Sequence, residues 1–238
     1  MKSALKALAV LAVLLAPVPS ATAAPALFGT VEFRAESLAA LPRWQRVLAR
    51  IEDERPVYKQ CRNDPEACPL RSARAWQSMV RGQKGQPRQE QLRVVNRFLN
   101  AWPYRTDLEV YGQSDYWASP LEFLKNSGDC EDYAIIKYVT LRQLGFAAEQ
   151  LRMAVVRDTQ RDLAHAVLAV YLDDEVYILD NLSNRILAHH EVPQYVPYYS
   201  VNETTRWAHV APREPLISQV REPVVANPAA EATAASGS

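Results

Sequence analysis

The chain has no surplus of charge. Its 238 residues carry 27 Lys+Arg and 27 Asp+Glu, a formal net charge of zero. There is no basic run either, so nothing in the composition points to nucleic acid as a partner. Beyond residue 23 no stretch approaches the ~18 apolar residues that mark a membrane-spanning helix. Neither C-x2-C nor H-x3-H spacing occurs, which argues against a zinc site. No acidic cluster has the spacing of an EF-hand loop. Cysteine is scarce: Cys61, Cys68 and Cys130 are all there are. None of them sits as a lipobox cysteine near the N-terminal cleavage pattern, which argues against a lipoprotein.

Residues 1–23 read as a secretory signal. Lys2 and Lys6 open it, an apolar stretch runs from Ala7 to Pro17, and Ala21-Thr22-Ala23 is a small-x-small cleavage pattern. The mature chain is therefore expected to be soluble and exported. An oxidising compartment leaves one cysteine of three over. Cys61 and Cys68 share a polar, proline-bearing loop that a disulfide can staple, which makes Cys130 the free thiol. One domain is expected over residues 24–211. From residue 212 the composition turns to Pro, Ala, Glu and Ser, the signature of a disordered tail.

Within the domain the pattern changes halfway. Apolar residues at helical spacing predict helices over residues 38–54, 69–81 and 88–101. Residues 103–118 read as a long irregular loop rich in aromatics, among them Tyr104, Tyr111, Tyr116 and Trp117. Such a loop can line a substrate cleft or simply pack on the core. Ser119-Pro120-Leu121-Glu122 is a capping box with proline at the first helical position, so a short helix spans 120–126. After Gly145 strands follow, at 151–157, 164–172, 176–179 and 195–201. Short connections make the central ones antiparallel neighbours. Residues 24–36 read as an edge strand or ordered arm, and Trp207 as an anchor at the end of the fold. The class is α+β, N-terminal helices packed on an antiparallel sheet.

The stretch Gly128-Asp129-Cys130-Glu131-Asp132-Tyr133-Ala134 stands at the junction. Asp129 is an N-cap and Gly145 a C′ residue, so Cys130 falls at the first position of a buried helix, with Gly128 permitting the turn into it. Free N–H groups and the helix dipole favour an anion there, and can lower a thiol pKa from about 8.5 to roughly 3.5–7.5. The acids oppose this. Three carboxylates within one turn repel by roughly 2–3 kcal/mol per pair at about 6 Å, and they raise a neighbouring thiol's pKa. A divalent cation held by oxygens would offset that charge; solvated acids serving as helix caps explain the same residues. Both readings stand on residue chemistry alone.

A nucleophilic cysteine needs a base and an orienter for that base. His165 opens the strand 164–172 and Asp180 ends the strand 176–179. Antiparallel pairing about the turn at 173–175 puts the two side by side, and the helix of Cys130 crosses the same sheet. The remaining histidines, His189, His190 and His209, are assigned to the surface.

Helices, then a cysteine at a helix N-terminus, then an antiparallel sheet bearing His and Asp resemble the papain-like, transglutaminase-like superfamily. The longer collinear motifs are more specific. Asp115-Tyr116-Trp117-Ala118-Ser119-Pro120-Leu121-Glu122-Phe123-Leu124, Gly128 to Ala134, Leu141-Arg142-Gln143-Leu144-Gly145, Ala164-His165-Ala166-Val167-Leu168 and Leu179-Asp180-Asn181-Leu182 are similar to those of the bacterial transglutaminase-like cysteine proteinases of the LapG type. The resemblance covers roughly residues 40–205. It implies a periplasmic, calcium-dependent cysteine endopeptidase that cuts the N-terminal region of a large cell-surface adhesin and so promotes biofilm dispersal. It also implies an inhibitory partner, the periplasmic domain of an inner-membrane receptor for cyclic di-GMP. Carried across, Cys130 is the nucleophile, His165 the base and Asp180 its orienter, while Asp129, Glu131 and Asp132 are the calcium-binding acids. Two other readings fit parts of the pattern. One is a cysteine amidase or peptidase acting on another substrate such as cell-wall peptides; the other is a non-catalytic calcium-dependent binding module.

Overall fold

A computed structural model describes residues 25–212. The expected signal segment, and the expected tail from residue 213 on, lie outside the described residues. Six α-helices precede the main run of strands: α1 (Pro42–Asn63), α2 (Arg71–Gln83), α3 (Arg88–Leu99), α4 (Asp107–Tyr111), α5 (Pro120–Asn126) and α6 (Cys130–Gln143). The strands are β1 (Val31–Ala35), β2 (Leu151–Asp158), β3 (Leu163–Leu172), β4 (Glu175–Leu179), β5 (Leu187–Ala188), β6 (Tyr195–Val201) and β7 (Arg206–Val210). None of the described helices is long and apolar enough to cross a membrane.

Three local expectations change. The first helix does not stop before Pro56 but runs through it to Asn63. Proline removes one helical hydrogen bond, yet the buried stripe of Trp44, Val47 and Ile51 continues past it to Tyr58 and Cys61, and that burial carries the helix on. Cys61 therefore sits in the last helical turn rather than in a loop, and it is joined to Cys68 by a disulfide of 2.00 Å. Second, residues 103–118 are not irregular throughout: α4 forms inside them. Thr106 Oγ1 accepts from the Glu109 N–H at 3.4 Å, and Glu109 accepts from the Thr106 N–H at 2.9 Å. Third, the left-handed turn before α6 falls on Ser127 (φ 66°, ψ −170°), not on Gly128. Gly128 is needed for space: a Cβ there would overlap the Asp132 carboxylate.

All strand pairs are antiparallel, in the order β1-β7-β6-β2-β3-β4-β5. The lead-in is thus an edge strand, and β7, missed in the sequence, seats it. Trp207 on β7 is buried, with the Arg152 guanidinium stacked 3.8 Å from its ring centre. Both faces of the sheet are covered. Met153, Leu168, Val170 and Leu179 pack with the helices, while Val156, Val167, Ala169 and Ile178 pack with Leu27, Val192 and Tyr195. That two-sided burial explains why β3 reads as an unbroken apolar run instead of alternating.

Helix α6 lies at the centre, buried at every position from Asp132 to Leu141, and it packs on β2, β3, α3 and α5. It ends as expected, with Gly145 in the left-handed region (φ 90°). The histidines correct another expectation. His190 is exposed, but His189 is half-buried with Nδ1 accepting the Phe28 N–H at 2.8 Å. The His209 side chain is fully buried, bridging Thr30 and Ser200 at 2.8 and 2.9 Å. Both knit the chain's first described residues to the sheet.

Candidate active site

The approach to Cys130 is fixed from α1. Glu54, buried, accepts from the Leu121 N–H at 3.1 Å and the Tyr58 hydroxyl at 2.5 Å, and it also takes the Ser119 hydroxyl. Only half of the expected capping box at Ser119 is made: Glu122 accepts the Ser119 N–H at 2.8 Å, and Ser119 Oγ turns to Glu54 instead. The helix α5 so anchored delivers the chain to Gly128. There Gly128 C=O accepts the Arg105 N–H at 2.9 Å and Tyr104 forms a parallel bridge with Gly128. Asp132 then accepts the Asp129 N–H at 3.2 Å and the Ala118 N–H at 2.6 Å, which ties the start of α6 to the preceding loop.

Cys130, half-buried, is the one free cysteine among the described residues. Its thiol donates to Glu131 Oε2 at 3.2 Å, and the Ala166 N–H of β3 lies against the sulfur. Burial pushes the thiol pKa well above its ordinary value, and the charges of Glu131 and Asp129 push it further. Burial and the neighbouring acids thus both oppose the thiolate that the helix N-terminus favours.

Next to Ala166, His165 is buried, and its Nε2 lies 2.9 Å from Asp180 Oδ1. Asp180 is held from several sides. Its carboxylate accepts the Tyr195 hydroxyl at 2.5 Å and the Leu182 N–H at 3.0 Å, while Asn100 Nδ2 donates to its backbone carbonyl at 2.9 Å. Burial alone would raise the Asp180 pKa. The hydrogen bond and charge of His165, with the Leu182 and Tyr195 bonds, more than reverse this and hold it below the usual carboxylate range. Tyr195 also packs on His165, ring centres 5.6 Å apart.

The predicted metal acids divide into two groups. Asp129 and Asp132 gather with Asp107, each offering an oxygen within 4.8 Å of the others, whereas Glu131 groups with Asp129 and Cys130. Asp107, on α4, was not a candidate in the sequence; the Thr106-x-x-Glu109 capping signature was the signal that could have revealed its helix. Its Oδ2 accepts the Tyr116 N–H at 2.5 Å, but Asp107 Oδ1 and Asp129 Oδ1 are buried without any hydrogen-bond partner. Burial pushes Asp107 up to about 6 and Asp129 up to about 8, and raises Asp132 well above its ordinary value; neighbouring acids add to each shift. Orphaned carboxylate oxygens in an all-oxygen cluster are what a hard divalent cation satisfies. The residues fit calcium.

Tyr104, half exposed, stands by the same cluster. Burial and then the Cys130, Asp129 and Glu131 charges raise its phenol pKa.

A family model describing bacterial transglutaminase-like cysteine proteinases matches residues 54–214. Among solved structures, calcium-bound LapG of Legionella pneumophila is 39% identical, covering 58% of this chain and 78% of that one, with a TM-score of 0.54. Two further structures of that protein, one EGTA-treated, are each 34% identical over 63% of this chain, with a TM-score of 0.57. They are covered over 87% and 84% of their own length. No curated protein matches significantly. With a cysteine at the head of a buried helix, a His–Asp pair on the adjoining strands and a family match spanning residues 54–214, this chain belongs to the bacterial transglutaminase-like cysteine proteinases.

Proposed function

We propose that the protein is a calcium-dependent cysteine endopeptidase of the periplasm, with Cys130 as nucleophile, His165 as general base and Asp180 as the residue that orients His165. The observation that carries the reading is the Cys130 thiol set against the β3 backbone at Ala166, one residue from a His165 whose Nε2 is committed to Asp180. That commitment leaves Nδ1 as the nitrogen available to the thiol.

Chemistry follows from these atoms. His165 takes the Cys130 proton, and the thiolate attacks the scissile carbonyl. The free N–H groups at the start of α6, that of Cys130 included, are the natural donors to the oxyanion. The imidazolium returns its proton to the leaving amine, the C–N bond breaks, and a thioester remains. His165 then takes a proton from water, whose oxygen attacks the thioester, and the acid product leaves with the thiol restored. Asp180 stabilises the imidazolium, and Tyr195 and Asn100 keep Asp180 in place.

Asp107, Asp129 and Asp132 would hold the calcium ion, with Glu131 beside them. When bound, calcium supplies positive charge that offsets these acids and so favours the thiolate. Glu131, which accepts the Cys130 S–H at 3.2 Å, is the acid whose charge bears most directly on the thiol. The calcium-bound and EGTA-treated LapG structures support a cation in this family.

The substrate reading is the N-terminal region of a large surface adhesin, whose release disperses a biofilm. The inhibitory partner reading is the periplasmic domain of an inner-membrane cyclic di-GMP receptor. Both rest on the LapG resemblance. The experiment incubates the mature protein and Cys130→Ala with that adhesin region, in calcium or chelator. Cleavage by the intact protein alone, and only with calcium, is the expected result. Calcium-dependent labelling of Cys130 by a thiol probe without adhesin cleavage would refute the substrate. Cleavage by Cys130→Ala would refute the nucleophile.

A further inference from the structure

The far end of α6 borders a second feature. Between α6 and α1 lies a half-open cavity of about 710 Å³, with Leu48, Ile51 and Val139 among its apolar lining residues. Two ion pairs stand on its walls, Arg55–Glu52 at 2.6 Å and Arg142–Glu203 at 2.7 Å. Lys59 and Arg62 also line it, and among the described residues neither meets a carboxylate within salt-bridge distance. The positive charge is therefore in excess.

Two neutral groups are unsatisfied as well. Tyr138 is 1% exposed, and its hydroxyl lies beside Glu203 without the geometry of a hydrogen bond to it. Gln143 Nε2 is buried without an acceptor, because Gln143 Oε1 is already taken by Arg62 at 3.2 Å and Gln77 at 3.1 Å. Ammonium, guanidinium and amide N–H groups can only donate, and a phenol donates readily. Tyr138 and Gln143 are enclosed in the wall, so the accessible donors are Lys59 and Arg62, the latter meeting only the Gln143 amide oxygen. Two cations beside an apolar floor call for an anionic acceptor carried on an apolar body.

A simple inorganic anion would leave most of this volume empty, since ligand pockets run from about 300 to 1,000 Å³. The shape is also elongated: from Leu48 to Arg62 along α1 is ~21 Å, the reach of about six extended residues. We infer that this cavity is a docking groove for an acidic segment of a partner polypeptide, one in which carboxylates alternate with aliphatic side chains. The aliphatic side chains lie on Leu48, Ile51 and Val139, and the carboxylates meet Lys59 and Arg62. Cys130 and Gln143, at the two ends of α6, are thirteen positions apart, or ~20 Å along the helix. The groove and the thiol can therefore be occupied at once, and the groove stands whether or not the chain cleaves what docks there.

The test uses the full chain carrying Cys130→Ala, so that cleavage plays no part. A fluorescent N-acetylated hexapeptide of alternating glutamate and leucine is titrated by anisotropy at low and high salt. A glutamine–leucine peptide serves as control. Saturable binding that weakens with salt, and little binding of the control, are expected. The exposed Lys59→Glu should weaken binding severalfold. Lys59→Glu with Arg62→Glu should weaken it by at least about tenfold. Circular dichroism identifies any variant that fails to fold, and Lys59→Glu alone then decides. Equal affinity across the folded variants, or no saturable binding by the full chain, overturns the inference. So does displacement of the hexapeptide by a synthetic peptide of residues 213–238, which would assign the groove to this chain's own terminus.

Discussion

Replacing Lys137 by methionine should make the protein more stable. Lys137 is fully buried in α6, and its Nζ has no hydrogen-bond partner. Its nearest compensation is the face of the Tyr133 ring, 5.7 Å from the nitrogen. Burial pushes its pKa down to about 7, and the Asp180 charge recovers only part of the loss. Against an unfolded value of ~10.4, a drop of that size costs about 4 kcal/mol of folding free energy at neutral pH. The direction follows from proton counting. The folded value lies below the unfolded one, so the unfolded chain binds more protons between them. The penalty is present in full below the folded pKa, and it vanishes as pH rises past ~10.4. Methionine keeps the unbranched length and removes the amine. With a urea slope of about 2–3 kcal/mol/M, the variant's midpoint should rise by about 1–2 M at pH 7, and the gain should shrink toward zero by pH 10. Urea melts of both proteins at several pH values, at constant calcium, measure it. A gain that does not change with pH would show that the ammonium is not what burial penalises. Loss of stability at every pH would show that Lys137 has a partner that outweighs its desolvation.

Other changes probe the site's scaffold. Gly128→Ala places a methyl group against the Asp132 carboxylate, with Asp132 Cβ at 2.8 Å. It should cost about 1–3 kcal/mol and weaken calcium binding, read by thermal melts and calorimetry; an unchanged melt would mean that the approach to α6 can shift freely. Ser127→Gly should have the opposite sign. Ser127 holds φ 66° and ψ −170°, a region that is almost glycine-only and costs other residues about 1–3 kcal/mol. Relief net of glycine's added unfolded entropy should leave about 1 kcal/mol, a rise in Tm of roughly 2–4 °C. Asp107→Asn should lower calcium affinity by at least about tenfold, in the range seen when a group supporting a metal site is lost; calorimetric titration equal to that of the unaltered protein would remove Asp107 from the cation site. In chelator, stability should fall as pH rises from 4 toward 8. Asp107 and Asp129 are raised to about 6 and about 8 in the folded chain, so the unfolded chain sheds protons first over that range. Melts that do not change with pH in chelator would contradict this.

How far the site can be read in the sequence depends on how local each interaction is. The start of α6 is local: Asp129, Cys130 and Asp132 lie within one turn, and the carboxylate of Asp132 on the Asp129 N–H needs no other part of the chain. The His165–Asp180 pair is nearly as local. One antiparallel turn joins β3 to β4, and Leu168 opposite Leu179 sets a register that leaves the two side chains adjacent. Other features depend on distant contacts. Pro56 reads as a helix end, and only the burial of Tyr58 and Cys61 against other helices overrides it. His209 reads as a surface residue because its partners, Thr30 and Ser200, come from two other strands or their flanks. Strand β2 lies between β3 and β6, an order that no short connection dictates. Asp107 shows the limit most clearly. It lies 22 residues before Asp129 in the chain, and the Gly128–Tyr104 bridge, the Arg105 N–H on Gly128 C=O and the Tyr116 N–H on its Oδ2 bring it to the acids at α6. The start of α6 and the His165–Asp180 pair are thus each specified by neighbours in sequence, whereas the Asp107, Asp129 and Asp132 oxygen set is assembled only when the whole helical half has packed. A fold disturbance far from Cys130 should therefore reach the activity first through the cation.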